Sequence, residues 1–144
     1  FWKRAAPPAS MEIFNAPNRE VCTIRRERTN TPLQALVTLN DPQFVEAARF
    51  LADKTLQEGG DDDQKRLDFV SKRVLARSFQ PAEAQILLSA LAEFQSHYAK
   101  ETLEAQKLIN FGESKPNPST DQVQLASWTM LINEVFNLDE FLNK

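Results

Sequence analysis

The sequence is poor in the residues that build redox, metal and phosphate sites. Cys22 is the only cysteine, so no disulfide can form within the chain, and the paired cysteines of zinc and haem motifs are absent. His97 is the only histidine, and the three glycines do not form a phosphate-binding loop. No apolar run approaches the roughly 20 residues that span a bilayer. We therefore expect no metal, no cofactor and no membrane span.

Apolar residues recur at the three- and four-residue spacing of helices, and no stretch alternates as a half-buried strand does. The clearest stripe is Ala84, Leu87, Leu88, Leu91, Phe94 and Tyr98. A second stripe is Phe44, Ala47, Ala48, Leu51 and Thr55, with Arg49 assigned to a polar face. The patterns predict an all-α fold, a compact array of about six helices over residues 31–144.

Residues 1–30 lack this periodicity and contain three prolines, Pro7, Pro8 and Pro17. They predict an extended, irregular arm that lies on a neighbouring surface. The sequence begins with Phe1 rather than methionine, so we expect a piece of a longer polypeptide, with that surface in its remainder.

Residues that start and stop helices mark most of the boundaries. Thr31 and Gln34 form a capping box around Pro32, and Asp41-Pro42 starts the next helix in the same way. Further starts are predicted at Asp61–Asp63, at Pro81 with Glu83, and at Ser119 or Thr120; stops are predicted at Asn40, Gly59-Gly60 and Arg77 or Ser78.

The last long helix, predicted to begin after Thr120, is apolar on most of its faces. Its apolar residues are Val123, Ala126, Trp128, Met130, Leu131, Ile132, Val135 and Phe136. Such a helix lies either in the centre of a core or against a second partner. Our first hypothesis is that this helix, together with the arm, docks on the remainder of the parent polypeptide.

Charge is distributed unevenly along the chain. Residues 1–30 contain six basic and three acidic side chains, a net charge of +3, whereas the whole chain carries −3. Arg19, Arg25, Arg26 and Arg28 precede the Thr31 cap, where guanidinium groups and free backbone N–H groups could together hold an anion. The alternative is that these arginines are clamped by Glu20, Glu27 and the acidic body. Nucleic acid is not expected as a partner, because the chain is acidic overall and the basic stretch lacks interleaved aromatic residues.

Two other groups resemble functional sites but do not have the required partners. His97 has Glu93 and Glu101 four residues to either side, but no second histidine or cysteine completes a metal-ligand set. Asp61–Asp63 lacks the glycine and terminal glutamate of a calcium loop, so it indicates a solvated helix start. The sequence therefore offers no catalytic residue and no metal ligand.

One long run is similar to a known family. Residues 18–36 read NREVCTIRRERTNTPLQAL and residues 39–48 read LNDPQFVEAA. They closely resemble the C-terminal region of the planctomycete secreted domain family, a domain of unknown function found in large bacterial proteins. Shorter similar stretches lie at residues 73–77, 81–83, 112–114, 126–129 and 137–141. Gln80 departs from the family pattern, which has a threonine or serine at that helix start.

The resemblance implies an exported envelope protein, periplasmic or extracellular, in which this region follows a cytochrome-c-like module. It transfers no catalytic residue, and the haem motif of that module is absent here. The leading hypothesis is therefore a non-catalytic structural or interaction module whose partner is the remainder of the parent polypeptide. The alternatives are a module that binds anions or acidic, sulfated glycans through the four arginines, and an active site shared with the missing N-terminal region.

Overall fold

The structure is a computed structural model that describes residues 9–17, 21–25 and 27–143. Within these residues the fold is all-α, as predicted, with six helices of eight or more residues and two short ones. In chain order they are α1 (Ala9–Ile13), α2 (Pro32–Asn40), α3 (Pro42–Glu58), α4 (Asp63–Val74), α5 (Pro81–Lys100), α6 (Thr102–Ile109), α7 (Gln122–Phe136) and α8 (Asp139–Leu142).

The predicted capping residues of α2 and α3 are confirmed. The Thr31 hydroxyl accepts a hydrogen bond from the Gln34 N–H at 3.3 Å, and the Gln34 side chain accepts one from the Thr31 N–H at 3.0 Å. The Asp41 carboxylate accepts from the N–H of Gln43 at 2.9 Å. Each bond satisfies a backbone donor that the first helical turn leaves free.

Two predicted boundaries are wrong by a few residues. The last long helix is capped by Asp121, which accepts from the N–H of Gln124 at 2.8 Å, while Thr120 donates to Asp53 instead. Helix α4 ends at Val74 rather than near Arg77, because Ala76 adopts a left-handed conformation with φ of 58°. That conformation cannot continue a right-handed helix.

Helix α7 is the central helix of the fold. It contacts α2, α3, α5, α6 and α8, and ten of its fifteen residues are buried. Trp128 lies at its middle with 0% exposure. The structure therefore corrects the hypothesis that this helix docks on an external partner, because helices of this chain cover its apolar faces.

The N-terminal arm is not extended throughout the part that the structure describes. Helix α1 forms there and ends at Ile13, and Asn15, two residues later, has a φ of 54° in the left-handed region that asparagine tolerates. This part of the arm packs on the chain's own α2, and the Phe14 ring lies 6.0 Å from that of Phe44 on α3. The proposed boundary between arm and domain at residue 30 remains a prediction.

Candidate functional site

Arg25 and Arg28, two of the four predicted arginines, lie in a surface segment whose flanking residues are hydrogen-bonded to each other. We call residues 16–28 the basic loop. The Asn15 side chain donates to the Thr29 hydroxyl at 2.6 Å, so the residues on either side of the loop are hydrogen-bonded to each other. A compact loop with closed ends is a frequent carrier of function, because its ends are fixed while its tip remains accessible.

Gln34 holds this closure to the helical body. Its side-chain nitrogen donates to the Ile13 carbonyl at 2.9 Å and to the Thr29 hydroxyl at 2.8 Å. The residue is only 2% exposed, and it is also the partner of Thr31 in the capping box. One buried amide therefore connects α1, the end of the basic loop and the start of α2.

The arginines of the basic loop that the structure describes are exposed. Arg25 and Arg28 are both exposed, and none of the ion pairs among the described residues involves either of them. Arg19 and Arg26 lie outside the described residues, so nothing is known of their placement. The predicted clamp by Glu27 or the acidic body is therefore not observed for Arg25 or Arg28.

The same loop exposes apolar residues. Val21 is 69% exposed and Ile24 is fully exposed, and Cys22 between them is an exposed thiol. Exposed β-branched residues next to guanidinium groups form a surface that can combine apolar burial with ion pairing.

The sequence pattern did not predict that an arginine on α3 is buried. Arg49 was assigned to a polar face but is only 3% exposed, and it donates to the carbonyl oxygen of Ser114 at 3.1 Å and to its hydroxyl. Glu46, one turn earlier, accepts hydrogen bonds from the Ser114 N–H and hydroxyl and from the Glu113 N–H. These bonds from Ser114, followed by the Glu113 N–H and the charge of Arg49, lower the pKa of Glu46, although its burial opposes this.

Gly112 is required where this loop approaches α3. Its φ is 104°, and a Cβ atom added there would lie 2.8 Å from Oε2 of Glu46. The stretch 112–114 therefore fastens this loop to α3: Gly112 allows the close approach, and Ser114 forms hydrogen bonds with both Glu46 and Arg49. We call Glu46, Arg49, Gly112 and Ser114 the α3 latch.

A second ionic cluster joins three stretches that are separate in the sequence, residues 73–77, 81–83 and 137–141. The Arg77 guanidinium lies 2.8 Å from a carboxylate oxygen of Glu83 and 2.7 Å from one of Glu140. Glu83 also accepts from the Gln80 N–H at 2.7 Å, so the start of α5 is stabilised although Gln80 replaces the usual capping residue. These contacts connect the α4–α5 turn with α5 and α8, so the cluster stabilises the fold.

Acid titration of Glu83 provides a test of this cluster. The Arg77 guanidinium, together with the Gln80 N–H, lowers the pKa of Glu83 to about 2 from an ordinary value of 4.5. A carboxyl with a depressed pKa in the folded state stabilises the protein above the unfolded value, and that contribution is lost as pH falls towards the folded value.

We therefore expect the free energy of unfolding to fall between about pH 5 and pH 2, and to fall less steeply in Glu83→Gln. Urea unfolding at a series of pH values measures this slope, and added salt reduces the difference because the pair is partly exposed. Glu113→Gln, at an exposed position, is the control. Identical slopes for Glu83→Gln and the wild type would contradict the assignment.

The remaining chemical groups do not form a site in the described part of the chain. His97 lies 3.1 Å from Glu104 on α6, rather than contacting Glu93 or Glu101, and both side chains are about half exposed. Within the residues described, no cluster of three metal-ligating side chains occurs. No helix there is both long and apolar enough to cross a bilayer.

Comparison with known proteins identifies a family. A family model described as PSD1, protein of unknown function (DUF1553), matches residues 1–91, which include the basic loop, its hydrogen-bonded ends and α1 to α4. No curated protein and no solved structure matches the chain. The match covers more than half of the 144 residues, so the chain belongs to the PSD1 family of proteins of unknown function (DUF1553).

Proposed function

We propose that this chain is a non-catalytic interaction module of a larger exported bacterial protein, and that the basic loop contacts the remainder of the parent polypeptide. The proposal rests on one observation: the ends of the basic loop are fixed to the helical body, whereas its described arginines are exposed. Asn15, Thr29 and Gln34 hold the ends by hydrogen bonds, while Arg25 and Arg28 are exposed without a described acidic partner. The exported location rests on the family resemblance.

The other polar clusters support a role without catalysis. The α3 latch and the Arg77 cluster use their charges to join segments of this chain, through bonds between Glu46 and Ser114 and between Arg77 and Glu140. Charges satisfied in this way are not available to a substrate. An active site shared with another region would therefore not use the charges of these two clusters.

Charge reversal of the loop tests the proposal. We expect Arg25→Glu with Arg28→Glu to leave the melting temperature of this chain nearly unchanged, because both side chains are exposed. In the complete parent polypeptide the same pair is expected to increase the rate of limited proteolysis severalfold, because a docked contact is lost. Melting curves and proteolysis time courses of both forms measure this.

The matched control is Lys65→Glu with Lys107→Glu, an equal charge change at exposed positions outside the basic loop. Equal proteolysis of the control and loop variants, or no change in either, would refute docking through the loop.

A second candidate function, binding of a sulfated or acidic glycan, is favoured by the same two exposed arginines. If it is correct, a sulfated polysaccharide raises the melting temperature at low salt, and the effect disappears at high salt and in the Arg25→Glu, Arg28→Glu variant. Stabilisation that survives the double variant would assign the polysaccharide to another surface.

A further inference from the structure

The N-terminal part of the fold lies outside the hydrophobic core. Among the described residues, none before Phe44 belongs to the core or packs against it as a half-buried apolar side chain. Helix α2 buries only Gln34 and Thr38, at 2% and 0% exposure, and all three of its leucines are exposed. A surface helix normally docks through an apolar stripe, whereas this one docks through polar groups. We call the described residues from Ala9 to Asn40 the N-terminal flap.

Four residues form a polar seam between the flap and α7. The Thr38 hydroxyl lies within hydrogen-bonding distance of Oδ1 of Asn137, and the Asn133 side chain donates to the Leu39 carbonyl at 3.3 Å. Water can replace such bonds when they open, so each contributes little to stability, whereas apolar surface in the core has no such replacement. Oδ1 of Asn133 is buried without a hydrogen-bond donor among the described residues, and opening would hydrate it. The polar seam is therefore a weak attachment.

Hydrogen bonds make the flap a unit. Gln34 and Asn15 join α1, Thr29 and α2 by three bonds of 2.6, 2.8 and 2.9 Å. Outside the polar seam, the contacts of the flap with later parts of the chain include a 3.4 Å bond from the Asn143 side chain to the Thr29 carbonyl. They also include the Phe14 ring, 6.0 Å from a ring on α3. Breaking the polar seam therefore leaves α1 and α2 bonded to each other.

Asp41 is a hinge between α2 and α3. It is the only residue between the two helices, and its N–H donates to the Val37 carbonyl at 2.8 Å, on the α2 side. Its side chain accepts from the Gln43 N–H at 2.9 Å, on the α3 side. Rotation about its φ, which is −70°, moves these two groups apart without breaking either bond. Pro42 restricts the ψ of Asp41, while φ can extend to about −160°. The chain can thus turn α2 relative to α3 and keep both helix ends capped.

We propose that the N-terminal flap opens as one unit at Asp41 while α3 to α7 stay folded, so that the basic loop occupies two positions relative to α7. In the closed state the polar seam is formed, and in the open state Thr38 and Asn133 are hydrated. This conformational device decides where the exposed Arg25 and Arg28 are presented. It holds whatever the basic loop binds, and therefore goes beyond the proposed function.

Hydrogen exchange of the complete chain, followed by mass spectrometry, measures opening helix by helix. We expect the hydrogen-bonded amides of α2 to exchange at least about tenfold faster than those of α7, because the flap opens without the core. Ile109→Val, which trims a buried residue of α6, should accelerate exchange of α7 severalfold and leave α2 unchanged. Equal rates for α2 and α7, or acceleration of both by the same factor, would show that α2 opens only with the whole fold and would overturn the proposal.

Thr38→Val locates the opening at the polar seam. It removes the hydroxyl while keeping the shape of the side chain, and we expect α2 to exchange severalfold faster. The matched control is Thr55→Val, because Thr55 on α3 is also 0% exposed but lies outside the polar seam, so it should leave the exchange of α2 unchanged. No acceleration by Thr38→Val, or equal acceleration by the control, would overturn the assignment to the seam.

Thiol labelling separates opening of the flap from fraying of its backbone. In a Cys22→Ser background, which removes the exposed native thiol, Thr38→Cys and Thr55→Cys each place one thiol at a position of 0% exposure. A maleimide in excess should label the Thr38→Cys variant at least about tenfold faster, because only the polar seam opens without global unfolding. Equal labelling rates for the two variants would overturn the proposal.

Discussion

Replacing Trp128 with alanine is expected to reduce the free energy of unfolding by about 3–5 kcal/mol, the largest effect of any single substitution considered. The side chain is completely buried at the middle of α7. Truncation removes an indole from a position surrounded by helices and leaves a cavity that close-packed neighbours fill only in part. Urea denaturation followed by far-ultraviolet circular dichroism measures the loss.

The variant Trp128→Phe measures the contribution of the indole N–H separately from that of the ring volume. The indole Nε1 is buried, and no group among the described residues accepts a hydrogen bond from it. Phenylalanine removes this unpaired donor, whose burial costs about 1–3 kcal/mol, while keeping most of the aromatic volume. The phenylalanine variant should therefore lose much less stability than the alanine variant. Equal losses in the two variants would contradict this expectation, and a loss below about 1 kcal/mol for alanine would contradict the central position of Trp128.

Gly112→Ala is expected to have the second largest effect, a loss of about 2–4 kcal/mol. Two causes combine. The φ of 104° is a conformation that residues with a Cβ rarely adopt, and the new methyl group would lie 2.8 Å from Oε2 of Glu46. Because Glu46 also bonds the Ser114 N–H and hydroxyl, it cannot withdraw without losing those hydrogen bonds.

A double-mutant cycle separates the two causes. In a Glu46→Ala background the carboxylate contacts are gone and only the Cβ of residue 46, at 3.2 Å, remains close, so the cost of Gly112→Ala should fall towards the conformational part. Gly60→Ala is the matched control, since its φ of 94° is similar but its nearest neighbour is the flexible Lys65 side chain at 3.3 Å. Strict additivity of Glu46→Ala and Gly112→Ala would show that the carboxylate does not restrict the site.

The sequence predicted those features that depend on neighbours within a few residues. Thr31, Asp41 and Glu83 contribute to helix starts through bonds to backbone groups two or three positions away, so the helix class and most starts were correct. The prediction of Ser119 or Thr120 as the cap of the last long helix was wrong: Asp121 caps it, and the Thr120 hydroxyl donates to Asp53, far away in the sequence.

The candidate site was only partly predictable for the same reason. The basic loop was recognised from its arginines, but its closure depends on Asn15 and Gln34, which gave no signal as loop residues. The burial of Arg49 requires Ser114, 65 residues later in the chain. Helical periodicity assigns a charged residue such as Arg49 to the polar face. Its burial becomes favourable only because Ser114, distant in the sequence, accepts its hydrogen bonds.

The central position of α7 has a consequence for how the chain is made. Synthesis proceeds from the N-terminus, so α2, α3, α5 and α6 all emerge before the helix against which they pack. Until residues 122–136 leave the ribosome, the inner faces of those helices have no cover, and the nascent chain is expected to need a chaperone or to remain loosely collapsed. The matched family segment, residues 1–91, ends before this helix, so it includes α2 and α3 but not the helix against which both pack.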